Sequence, residues 1–205
     1  AAELIKSLLE KNTGKIGIVL PTFEEYSNRY SKADVVAFVP DNKDCAYNSS
    51  NLIKFYDNKP IKTLLLINPD NPSGNFIPKK EVLELAEWTK NKGIKFIVDE
   101  SFVDFSDDFR NNSLLDNATL STYKHLFVMK SISKSYGVPG LRLGILASSD
   151  TQTIDYIKKD VSIWNINSFA EFYMQIFNKY SSAYDAACEC FIAERTRFAK
   201  RLEEI

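Results

Sequence analysis

Three apolar runs in this 205-residue sequence each end in a cluster of reactive side chains. Thr63–Ile67 runs into Asn68-Pro-Asp-Asn71-Pro-Ser-Gly74, Lys95–Val98 into Asp99-Glu-Ser-Phe102, and Leu126–Met129 into Lys130-Ser131-Ile-Ser133-Lys134. Gly137, Gly140 and Arg142 follow the last of these. Open α/β sheets bind ligands beyond the carboxyl ends of their strands. On such a sheet an amide, a carboxylate, an amine, hydroxyls and a guanidinium would converge on one rim. Donors, acceptors and both signs of charge would then face one small polar ligand. Taken singly, each residue has a plainer reading. A lysine is usually a solvated surface charge, Asp99 can be a helix cap or loop acid, and an asparagine before proline is usually a turn residue.

The elements that must position these residues alternate along the chain. Lys15–Leu20, Val35–Val39, Thr63–Ile67, Lys95–Val98, Leu126–Met129 and Leu143–Ala147 are short apolar runs rich in branched residues, the pattern of buried strands. Helical patterns cover Glu3–Lys11, Phe23–Tyr30, Ser50–Tyr56, Lys79–Lys92 and Asp150–Lys159. Pro78 just before Lys79–Lys92 and Gly93 just after it show the usual asymmetry of helix ends. This alternation predicts an α/β fold of three layers, a mainly parallel sheet with helices on both faces. No repeat or low-complexity segment interrupts it. The sequence opens inside one helix and closes inside a charged one, CFIAERTRFAKRLEEI, as expected of a fragment lacking something at both ends.

Bulk properties narrow the class. The length suits one well-buried core. A net charge of −1 gives no reason to expect nucleic acid or an anionic membrane as partner. The apolar runs are too short to span a bilayer, and AAELIKSLLEKN reads as an amphipathic helix without the pattern of a signal peptide. Cys45, Cys188 and Cys190 are odd in number and badly spaced for a disulfide framework or a zinc site. With His125 as the only histidine, a histidine-rich metal site has no ligands. A reducing, cytoplasmic compartment is the expectation.

NPDNPSG, then DESF, then SISK with an arginine eight residues after the lysine, resembles the fold-type-I pyridoxal-phosphate enzymes, the class I and II aminotransferases. Within them the sequence is most similar to the group of histidinol-phosphate aminotransferases and threonine-phosphate decarboxylases. The resemblance runs from AAEL to the final helix. It makes residues 1–180 the cofactor-binding large domain without its first strand, and 181–205 a connecting helix toward an absent small domain. Pyridoxal phosphate, the implied cofactor, draws carbanion electrons into a pyridinium ring while protein groups supply position and electrostatics. Lys134 would form the Schiff base and move the Cα proton. Asp99 would pair with the ring nitrogen, Asn71 would hydrogen-bond the ring hydroxyl, and Phe23 would stack on the ring. A cis Asn71–Pro72 bond and an antiparallel Leu143–Ala147 strand are also implied. Ser131, Ser133 and Arg142 would hold the phosphate, joined by the backbone amides of Ala1 and Ala2 at the positive end of the first helix.

Phe102 departs from the aminotransferase pattern. Tyrosine is common there in the aminotransferases, and phenylalanine in the decarboxylase branch. The resemblance as a whole implies amino-group transfer between a small amino acid, phosphorylated ones included, and a keto acid. Decarboxylation of a phosphorylated amino acid on the same lysine is the alternative. A non-catalytic module of a larger fused chain is a third reading. A dinucleotide-binding domain is disfavoured because the glycines never form G-x-G-x-x-G. A homodimer is expected, and the sequence also resembles halves fused behind a sugar- or choline-phosphate nucleotidyltransferase.

Overall fold

The computed structural model describes residues 1–204; Ile205, the end of the expected connecting helix, lies outside the described residues. The strands are β1 (Lys15–Val19), β2 (Val35–Phe38), β3 (Ile61–Ile67), β4 (Lys95–Asp99), β5 (Leu126–Ser131) and β6 (Gly144–Ala147), each within two residues of its expected bounds. They form one sheet in the order β2-β1-β3-β4-β5-β6. All neighbours are parallel except β5 and β6, which run antiparallel as expected. Ile67, Asp99 and Met129 are level across β3, β4 and β5. The three reactive clusters thus leave the sheet side by side.

Strand residues alternate between two apolar layers. Leu64, Leu66, Phe96, Val98, Leu126 and Val128 pack with α3 (Ser49–Tyr56) and α4 (Lys79–Lys92). Leu65, Ile67, Ile97, Phe127 and Met129 pack with Ile5, Leu8 and Leu9 of α1 (Ala2–Glu10), Tyr26 of α2 (Glu24–Ser27) and Ile157 of α8 (Thr151–Asp160). The period of two along buried strands is what covers both faces. Gly93 ends α4 in the left-handed conformation at φ 65°, and its amide bonds the carbonyls of Thr89 and Lys90.

The helix expected over Phe23–Tyr30 is only the single turn of α2. After Ser27 the amides of Arg29 and Tyr30 bond carbonyls three residues back, those of Tyr26 and Ser27, which tightens the chain out of the α-helix. Beyond the expected helices, α5 (Phe109–Asn112), α6 (Asn117–Thr122), α7 (Ile132–Ser135) and α9 (Ser168–Phe177) fill the connections. The last, α10 (Ser181–Glu203), lays one side on the segment after β4. Cys188 is buried, Phe191 lies 4.3 Å from Phe105 between ring centroids, and Arg195 pairs with Asp107. No helix among the described residues is long and apolar enough to cross a membrane.

Asp116 caps α6 by accepting from the Thr119 amide at 2.8 Å and its hydroxyl at 2.7 Å, and it pairs with Lys79 at 2.9 Å. Burial alone would raise its pKa, but these donors bring it down from 3.8 to about 2. A carboxylate of lower pKa in the folded state stabilises fully above its unfolded value and loses that contribution as pH falls through its folded value. Asp116→Ala should cost about 1 kcal/mol at neutral pH. In denaturant melts the gap from wild type should close between about pH 4 and pH 2. A gap independent of pH would mean the cap is not ionic.

Candidate active site

The rim beyond β3, β4 and β5 encloses an open cleft with about 690 Å³ of empty volume. All ten residues singled out from the sequence line it. Asn71 reaches it from the turn after β3, where the Asn71–Pro72 bond is cis. Its side-chain amide has no partner among the described residues, while its backbone amide bonds Asp70 at 2.9 Å. Phe23, just ahead of α2, presents a 41% exposed ring and meets Tyr26 edge-on at 6.3 Å.

Ser131, Ser133 and Lys134 follow from the end of β5 through α7. The Ser131 amide donates to Ser101 Oγ at 2.8 Å, and Ser133 is buried with its hydroxyl 3.5 Å from the Leu143 carbonyl. The Lys134 amine lies 5.4 Å from the centroid of the Phe102 ring. It has no hydrogen-bond or ion-pair partner among the described residues. Arg142 sits at φ 58°, ψ 34°, a left-handed conformation uncommon for a residue with a side chain. Its guanidinium donates to the Pro139 carbonyl at 3.1 Å, its one hydrogen bond among the described residues.

Ala1 and Ala2 bring the first turn of α1 to the same cleft, and no side chain caps its amides. Gly144 makes this approach feasible. A Cβ there would lie 2.6 Å from the Ala1 nitrogen and 2.8 Å from its Cα, closer than any real contact.

Asp99 is the most elaborately held of the ten. Strand parity points it to the α1 face, two residues beyond Ile97. There the fully buried Tyr26 donates its hydroxyl to Oδ2 at 2.6 Å. The Ser101 amide donates to Oδ1 at 3.0 Å, and so does the Ser101 hydroxyl. Burial pushes the Asp99 carboxyl above the ordinary range, opposed by Ser101 and Tyr26. Burial and then the Asp99 charge push the Tyr26 phenol well above its own, so the phenol is the donor of the pair. Tyr26, Ser101 and Glu25, the last two lining the cleft, are absent from the residues singled out by sequence. Two local signals pointed to the first two: Tyr26 is one helical turn beyond Phe23, and a serine two residues after an aspartate commonly closes a side-chain-to-amide turn.

These groups match the demands of pyridoxal phosphate. An unpaired amine, an unpaired amide, a carboxylate with acceptor capacity left, an exposed aromatic face and a guanidinium beside uncapped helical amides share one cleft. Glu25 is the exception, an acid for which the cofactor has no obvious use.

Comparisons with known proteins agree. The family model described as Aminotransferase class I and II matches residues 1–205. The chain is 30% identical to an L-serine phosphate decarboxylase of Sulfurospirillum multivorans, over 98% of this chain and 53% of that protein. It is 29% identical to a histidinol-phosphate aminotransferase of Clostridium novyi, over 98% of this chain and 54% of that one. Its fold superposes on the crystal structure of the histidinol-phosphate aminotransferase from Clostridium acetobutylicum with a TM-score of 0.83, at 26% identity, covering 100% of this chain and 60% of that one. The chain thus spans about half the length of the curated relatives it matches. With fold, cleft chemistry and family profile in agreement, the chain belongs to the class I and II aminotransferase family, and its cofactor is pyridoxal phosphate.

Proposed function

We propose that this chain carries the cofactor machinery of an aminotransferase acting on a small amino acid, phosphorylated ones included, with Lys134 as the catalytic lysine. The observation that carries the reading is the single cleft in which the unpaired Lys134 amine shares a wall with Asp99 and Arg142. When bound, the cofactor supplies an electron sink for the bonds at the substrate's Cα. Lys134 would hold the cofactor through its amine and move a proton at the substrate's Cα. Asp99, as a carboxylate, would accept a hydrogen bond from the ring N–H. Asn71 donates to the ring oxygen, a task Phe102 cannot share because it has no hydroxyl. Phe23 covers the ring face. The guanidinium of Arg142, the hydroxyls of Ser131 and Ser133 and the first amides of α1 hold the phosphate.

Decarboxylation of a phosphorylated amino acid is the second reading. Phe102 and the 30% identity to an L-serine phosphate decarboxylase favour it. The two reactions use the same lysine and differ in which Cα bond breaks. Incubating the complete enzyme with phosphoserine or histidinol phosphate, with and without a keto acid acceptor, separates them. Amino-group transfer yields a new amino acid only when the acceptor is present. Carbon dioxide released without an acceptor would replace the first reading with the second.

A further inference from the structure

Asp99 has a countable number of acceptor sites. A carboxylate offers about four lone-pair positions, two on each oxygen. Oδ1 takes both the amide and the hydroxyl of Ser101 and is therefore saturated. Among the described residues Oδ2 takes only the Tyr26 hydroxyl, at 2.6 Å. One acceptor position is left, and it is on Oδ2. Ser101 cannot turn away to free Oδ1, because its oxygen also accepts the Ser131 amide at 2.8 Å. The same serine thereby ties the Asp99 carboxylate to the segment that carries Lys134.

We propose that Oδ2 of Asp99 is the atom that receives the cofactor's ring N–H, and that Tyr26 is a positioning residue that shares this oxygen and holds it as an anion. This rests on the cofactor assignment above and adds which oxygen is used and what controls it. Tyr26 is suited to the task. It is fully buried, so water does not compete for its donor, and its ring meets Phe23 edge-on from one turn further along the chain. The titratable group in contact with Asp99 is the Tyr26 phenol from α2; Glu25 from α2, Lys134 from α7 and Arg142 beyond it line the same cleft. Tyr26 is the one that contacts the open oxygen. Loss of its hydroxyl would leave a buried carboxylate with a single supporting side chain. The acid would then compete with the ring nitrogen for the shared proton.

The test compares the complete enzyme with its Tyr26→Phe variant, which preserves the buried ring. In the cofactor-free protein, isotope-labelled Asp99 followed by carbon NMR should bind its proton about tenfold more tightly in the variant, the size expected for losing a hydrogen bond to a charged group. In the loaded enzyme, nitrogen NMR of labelled cofactor should show the ring nitrogen moving toward its unprotonated signal, and kcat should fall more than KM changes. Site-specific 3,5-difluorotyrosine in place of Tyr26 keeps the shape and makes the phenol a stronger donor. It should move both signals the opposite way, which a purely structural role would not do. Unchanged signals in the phenylalanine variant, or shifts of the same sign in both variants, would overturn the proposal. A complete enzyme that takes up no cofactor would instead defeat the proposed function, and the cofactor-free titration would still decide the role of Tyr26.

Discussion

Replacing Lys134 with alanine should lower turnover of the complete enzyme by about four orders of magnitude or more, while leaving its stability within about 0.5 kcal/mol of wild type. The kinetic loss is large because, on the proposed function, one side chain would do two jobs. A positioned proton carrier alone contributes roughly 10²–10⁴-fold, and the same amine would also hold the cofactor covalently. The stability change is small because the amine faces the cleft and has no ion-pair or hydrogen-bond partner among the described residues. Borohydride treatment should fix cofactor covalently to the wild type and not to the variant. A small added amine should restore part of the activity. Covalent labelling that persists in Lys134→Ala would move the catalytic lysine elsewhere.

The opposite profile is expected four residues earlier. Lys130 and Asp104 form a buried ion pair at 2.8 Å, with side chains only 7% and 9% exposed. Glu100, also buried, lies within the field of Lys130, and the second Asp104 oxygen is buried without a partner among the described residues. Removing one member of a buried pair typically costs about 3–5 kcal/mol, because the remaining charge is left uncompensated, whereas replacing both with apolar groups is often nearly neutral. Lys130→Met should therefore destabilise the complete protein by roughly 3–5 kcal/mol in denaturant unfolding. Lys130→Met with Asp104→Leu should recover much of that loss. A single variant as stable as wild type would show that the pair contributes little.

The two lysines show where a sequence stops being legible. SISK, DESF and NPDNPSG, in that order and each after an apolar run, identified the family, the strands and the ten residues now found lining one cleft. Those inferences rest on local chemistry: branched residues favour strands, proline and glycine bound helices, and ligand groups gather at strand ends. The fate of Lys130 is not local. Parity along β5 turns it, with Val128, away from the face that Met129 and Ser131 share, toward Asp104. Nothing in its neighbours' identities says that a carboxylate waits there.

Tyr26 is a similar case, 73 residues from its acceptor. Its helical pattern promised a longer helix than the single turn that forms, and that turn aims the phenol at Asp99. The charged final helix reads as a connector; Phe191 and Arg195 also fix one of its sides to the segment after β4. The sequence by itself thus determined the strands, the family and the reactive groups, because each depends on residues close in the chain. The tertiary structure alone decided which of those groups face the cleft and which are buried as partners, because that depends on strand parity and on contacts between residues distant in the chain.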